Sequence, residues 1–128
     1  MNRLFRPFLI TLLALFFLNL TSCEKPQSLL KVFVRDASGN LVGDVEVKII
    51  SSNSSDPVTS KHTDKLRTNT SGFCTFNLDT FFATQVATSR DGYFDVFVDK
   101  DQFSGIGSVR ATYQTTQVQT VKFSIANN

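Results

Sequence analysis

Cys23, Cys74, His62 and a handful of aspartates are the residues whose types suit nucleophilic, general-base or metal chemistry in this sequence. His62 is the sole histidine, so a Ser-His-Asp triad would have to recruit it, yet no Gly-x-Ser-x-Gly elbow occurs. It stands in a polar stretch and reads as a solvated loop histidine. Asp95, Asp99 and Asp101 could supply paired carboxylates for glycoside chemistry, but their spacing reads better as the outward side of a strand and its turn. Asp99-x-Asp101-x-Phe103-x-Gly105 has the outline of a calcium loop. Phe103 fills the third ligand position, the glycine comes one place late and no Glu closes the loop, so the pattern fails. Cys74 lies in Phe73-Cys74-Thr75-Phe76-Asn77-Leu78, where Cys74, Phe76 and Leu78 share one face of a period-two strand. A buried thiol of that kind is a small, inert core residue.

Cys23 stands apart, because of what precedes it. Arg3 and Arg6 give a positive start and Phe8 to Leu18 an apolar run broken only by Thr11, the anatomy of a signal peptide. As a helix that run reaches roughly 17 Å, short of the roughly 30 Å hydrocarbon core, so a spanning helix is not expected. Leu20-Thr21-Ser22-Cys23 follows, and it resembles the lipobox of bacterial lipoproteins at all four positions. The resemblance implies cleavage ahead of Cys23 and a covalent lipid on its sulfur. It makes 1–22 a signal peptide and 23–28 a lipidated polar tether containing Pro26. Mature lipoproteins of this type carry two or three acyl chains, enough for stable anchoring where one chain is marginal. Glu24 follows the cysteine. By resemblance to enterobacterial sorting, where Asp there retains a lipoprotein at the inner membrane, the outer membrane is expected, with the domain facing the periplasm or the cell surface. With Cys23 committed to lipid, Cys74 has no disulfide partner in the chain, and no structural zinc site or other cofactor is expected.

The 13 Lys and Arg residues include Arg3 and Arg6, so removing those two leaves 11 against 11 Asp and Glu. The mature protein is close to neutral, and its cations are dispersed rather than gathered in a stripe. No nucleic-acid partner is expected.

From Leu29 onward short alternating runs are separated by Gly, Asn, Asp and Ser clusters, which predicts one β domain over 29–126. Leu30, Val32 and Val34 point inward from a first strand that stops at Asp36-Ala37-Ser38-Gly39-Asn40. Val45, Val47 and Ile49 make a second, followed by a long exposed loop over Ser51 to Lys65. Leu66 to Thr70 and Phe73 to Leu78 flank Ser71-Gly72 as a hairpin. Further inward sets are Phe94, Val96 and Val98; Val109, Ala111 and Tyr113; and Val121, Phe123 and Ile125, while Phe81 to Thr88 fits a strand or a single helical turn. About seven antiparallel strands without a long amphipathic helix predict an all-β sandwich. A chain of this size buries something like 60 to 70% of its unfolded surface, enough for one core without staples.

Val32-x-Val34-x-Asp36-x-x-Gly39-x-x-Val42-x-x-Val45-x-Val47, then Thr68-x-x-x-Gly72-x-Cys74-x-Phe76, resembles transthyretin-like or carboxypeptidase regulatory-like domains, a pattern shared with Ig-like modules. The resemblance covers the first half of the mature domain and implies a spacer, docking module or accessory part of a surface assembly. The transthyretin-related hydroxyisourate hydrolases use several histidines and end in Tyr-Arg-Gly-Ser. This chain has one histidine and ends Ala126-Asn127-Asn128, which contradicts that activity.

Phe33, Phe73 and Phe97 each occupy the strand face opposite the core set. If they converge, they form an apolar patch for a protein partner in the envelope. The expected function is therefore non-enzymatic: a lipid-anchored envelope module, with glycan or peptide binding as the alternative. With no Trp, and Tyr93 and Tyr113 the only tyrosines, a sugar-stacking platform is sparse.

Overall fold

The computed structural model describes residues 10–12, 14, 23–55, 58–85 and 88–125. The leader expected over 1–22 therefore lies, apart from 10–12 and 14, outside the described residues, as do Ala126 to Asn128. Among the described residues no helix is long and apolar enough to cross a membrane.

Among the described residues from Ser28 onward, eight strands and one short helix follow in order: β1 Leu29–Arg35, β2 Glu46–Ser51, β3 Thr63–Arg67, β4 Phe73–Asn77, α1 Asp79–Gln85, β5 Asp91–Lys100, β6 Phe103–Thr112, β7 Thr116–Lys122 and β8 Ser124–Ile125. They form a three-stranded sheet, β4-β1-β7, facing a five-stranded sheet, β3-β2-β5-β6-β8. The alternating side chains of the two inner faces interlock as one core. Leu30, Val32, Val34, Phe76 and Val121 meet Val47, Ile49, Phe94, Val96, Val98 and Ala111, all buried. The all-β sandwich is thus the observed architecture.

Particular expectations change. Leu66–Thr70 and Phe73–Leu78 do not form a hairpin: β3 pairs with β2 in one sheet and β4 with β1 in the other. The tight turn between them, closed by Gly72 N donating to Asn69 O, carries the chain across the core. The sandwich is not wholly antiparallel, since β1 and β7 run parallel from Leu29↔Thr116 to Arg35↔Lys122. The chain leaves β6, turns at 113–115 and re-enters on the other sheet, so β7 starts at the same end as β1. The final inward set splits. Val121 and Phe123 are buried, but Ile125 falls in β8 and is 63% exposed.

The long loop is anchored rather than free. Ser51 and Thr63 belong to strands, Thr59 Oγ1 accepts from Tyr93 N, and Ser60 N donates to the buried Gln85 Oε1 on α1. The ambiguous Phe81–Thr88 stretch contributes a helix, α1, that inserts Phe81 and Phe82 into one end of the core. His62 is accordingly not a solvated loop residue. Its ring packs 5.4 Å from Phe81 and 6.1 Å from Phe94, with Nε2 buried and unpartnered.

Where the two sheets close on each other, side chains have to shrink. A Cβ on Gly105 would lie 2.5 Å from Lys122 O, and one on Gly107 3.0 Å from Val121 Cγ2. Both glycines sit on the inner face of β6, where the absence of a side chain lets β7 approach.

Candidate interaction surfaces

The strand registers define two ends. Ser28 marks the first: its N donates to Asp79 Oδ1 at 2.7 Å, its Oγ accepts from Gln114 N at 2.9 Å, and its O accepts from Leu78 N at 2.8 Å. Ser28 is therefore part of the folded domain, and the exposed Cys23 lies five residues away along chain without regular structure. At most that span reaches about 17 Å. This tether end also holds α1, the 113–115 turn and the start of β5.

The far end lies the length of β1 away, about 23 Å for its seven residues. Turns from both sheets build it. In the first, Asp36 Oδ1 accepts from Asn40 N, Gly39 N donates to Asp36 O, and Gly39 adopts a φ of +89°, a left-handed conformation suited to glycine. Arg35 Nη1 braces the turn through Gly39 O. In the β5–β6 hairpin Asp101 takes a φ of +54°, and Lys100 Nζ donates to Gly43 O at 2.9 Å. Between the turns opens a groove of about 740 Å³. Val42, Phe103, Phe123 and Ile125 make its apolar floor, the two phenylalanine rings 5.5 Å apart, and Asp36, Lys100 and Asp101 its rim. The volume suits a few apolar side chains of a partner flanked by polar contacts. Sequence reasoning missed this groove. Phe103 and Ile125 continue the apolar parity of their strands past the point where the core closes, and no local pattern says where that point is.

The three phenylalanines are not brought together. Phe33 and Phe73 are register partners on the three-stranded sheet, ring centroids 5.4 Å apart. Phe97 lies on β5 in the other sheet, 38% exposed and paired with the exposed Ile106. The single patch expected from sequence therefore divides into two surfaces on opposite sides of the molecule. Alternation correctly placed all three outside the core, but only strand order says which sheet each strand joins.

A second concavity, of about 550 Å³, sits on the outer side of the five-stranded sheet. Ser52, Ser54, Tyr93, Asp95, Ser108 and Arg110 line it, and Ser108 Oγ donates to Asp95 at 3.1 Å. Arg110 also pairs with Asp91 at 2.6 Å. That contact first, and the Thr112 hydroxyl second, hold the Asp91 carboxyl below the ordinary carboxylate range.

Burial pushes the Cys74 thiol up from its ordinary 9.0 to about 11, so it stays protonated and unreactive at neutral pH. Among the described residues no group of three or more His, Cys, Asp or Glu is gathered to hold a metal ion. Asp95 is engaged by Ser108, and Asp101 forms part of the groove rim.

No family model matches the chain, and no curated protein matches it. Among solved structures it is similar to 3-chlorocatechol 1,2-dioxygenase from Rhodococcus opacus 1CP, with a TM-score of 0.49 and 12% identity over 80% of this chain and 62% of that one. It is also similar to chlorocatechol 1,2-dioxygenase from Pseudomonas putida, with a TM-score of 0.38 and 15% identity over 84% of this chain and 64% of that one. The chain thus spans rather less than two thirds of either dioxygenase.

Proposed function

We propose that this protein is a non-enzymatic, lipid-anchored module of the bacterial cell envelope that docks a protein partner through the groove at its far end. The observation that carries the reading is the separation of tether and groove. The chain enters at Ser28, and the apolar floor of Val42, Phe103, Phe123 and Ile125 opens at the other end of β1. A domain held by Cys23 therefore leaves the groove free. The lipid anchor itself rests on Leu20-Thr21-Ser22-Cys23 and the apolar run before it. The non-enzymatic reading is supported by the state of the reactive side chains: a protonated buried thiol and a histidine packed against Phe81 and Phe94.

The full chain, produced in a Gram-negative host fed an alkyne analogue of palmitate, is expected to take up the label and enter the detergent phase on partitioning. Cys23→Ala is expected to do neither. An unlabelled wild-type chain sinks the anchor. For the groove, a photo-crosslinking residue at Ile125 should give a discrete adduct in intact envelopes that the same residue at Lys65, on the opposite edge, does not. Equal adducts at both positions argue against the groove.

The hydroxyl-rich recess around Tyr93 and Arg110 favours a second reading, a surface lipoprotein that binds a glycan or peptide there. Retention on a glycan array that is lost in Tyr93→Ala would support it, and an array without signal would remove it.

A further inference from the structure

We propose that the outer face of the three-stranded sheet rests on an anionic lipid surface, so that the domain lies along its membrane instead of standing off it. The proposal rests on the lipid-anchor reading of Cys23, which brings a bilayer within reach of the tether.

Three observations converge on this face. The first is charge. Lys31 and Arg35 on β1 and Lys122 on β7 point outward, because their neighbours Leu30, Val32, Val34 and Val121 are buried. No Asp or Glu occurs on β1, β4 or β7. The other sheet differs: the three ion pairs among the described residues, Lys65–Glu46, Arg67–Asp44 and Arg110–Asp91, all involve its strands. One broad side of the molecule is cationic without carboxylate partners, while the opposite side is self-neutralised. An anionic plane complements the first and not the second.

The second observation is the apolar content among those cations. The Phe33 and Phe73 rings meet at a tilt of 47°, and Lys31 Nζ lies 5.1 and 4.0 Å from their ring centroids. Val118, whose register partner is Lys31, is 51% exposed. Aromatic rings beneath an outward ammonium suit the headgroup boundary, where the ring meets the acyl margin and the charge stays with phosphate. The third is continuity with the tether. The chain from Cys23 runs directly into β1, the central strand of this sheet, and its reach of about 17 Å keeps the sheet close to whatever holds the cysteine. None of the groove residues belongs to this face, so the sheet can lie on lipid while the groove stays open to a partner.

The chain has no tryptophan, so Val118→Trp and Ile106→Trp each place a single reporter, one on each side of the sandwich. The full lipidated chain is reconstituted into vesicles of phosphatidylcholine with phosphatidylglycerol, or of phosphatidylcholine alone, and flotation is scored before fluorescence. The expected result is a blue-shifted Val118→Trp emission, shielded from acrylamide in the anionic vesicles only, with Ile106→Trp open in both. Adding Lys31→Gln or Lys122→Gln should weaken the face's hold on the anionic surface about fivefold for each cation removed. Protein that fails to float refutes the anchor. Protein that floats with both reporters equally quenched refutes the sheet's contact with lipid. Shielding of Val118→Trp already present in detergent micelles or in phosphatidylcholine alone means that a second copy or a charge-independent contact covers the face, which also overturns the proposal.

Discussion

At the scale of single residues, Thr68 does the work that β-pairing cannot do where the chain changes sheets. Its Oγ1 accepts from Val45 N at 2.9 Å and donates to Val42 O at 2.9 Å, and the residue is 5% exposed. Thr68→Val keeps the shape and removes both bonds, leaving a buried amide unsatisfied. That loss should cost about 2 kcal/mol, read as a lower urea midpoint with an unchanged slope. Cys74 offers a second test at this scale. Burial pushes its thiol up to about 11 in the fold, against 9.0 when free. The unfolded chain thus loses this proton first as pH rises, so Cys74 destabilises nothing below 9.0 and progressively lowers stability between 9.0 and about 11. The native protein should resist thiol alkylation at neutral pH and react on adding denaturant. Rapid labelling of folded protein at Cys74 would contradict its buried placement.

At the scale of elements, the closure between β6 and β7 decides whether two sheets make one core. Gly105 has no room for even a methyl group beside Lys122 O and Val98. Gly105→Val is therefore expected to lever β7 away from β6 at a cost of about 2 to 3 kcal/mol. Amide exchange should quicken in β7 and β1 while the β2–β3 pair is spared. Gly39 is the control: its turn is open, with nothing within 4 Å of an added Cβ. Gly39→Ala should cost only the left-handed backbone, about 1 kcal/mol. Helix α1 shows the same dependence of an element on its setting. Seven residues are too few to hold a helix alone. Phe82 at 0% exposure and Gln85, bonded to Ser60, fasten it to the core and to the loop.

For the molecule as a whole, ion pairing among the described residues is one-sided, and that should govern its response to acid. Asp91 joins the start of β5 to the end of β6 through Arg110 and Thr112. These contacts lower its pKa in the fold, so its contribution is present above the ordinary carboxylate pKa and is lost as pH falls through the depressed value. The melting temperature of wild type should therefore fall more steeply on acidification below the ordinary carboxylate range than that of Asp91→Asn, the two curves converging at the acid end. Parallel curves would mean that the pair contributes nothing measurable, as many surface pairs do.

Alternation in the sequence determined which faces are buried. Leu30, Val32, Val34, Phe94, Val96 and Val98 are inward because the pleat sends every second side chain to the same face. The expectation of a lipidated cysteine comes equally from local residues, since an export signal is read as a linear pattern before any fold exists. Tertiary structure alone decided which sheet each strand joins. It divided Phe97 from Phe33 and Phe73, turned the expected hairpin at Ser71-Gly72 into a crossing, and set β7 parallel to β1. It also drew His62 in beside Phe81 and Phe94, and left Phe103 and Ile125 to floor a groove. Period two says which side of a strand is apolar but carries no information about its neighbour. Neighbours are chosen by the fit of two whole sheets, down to the missing side chains of Gly105 and Gly107.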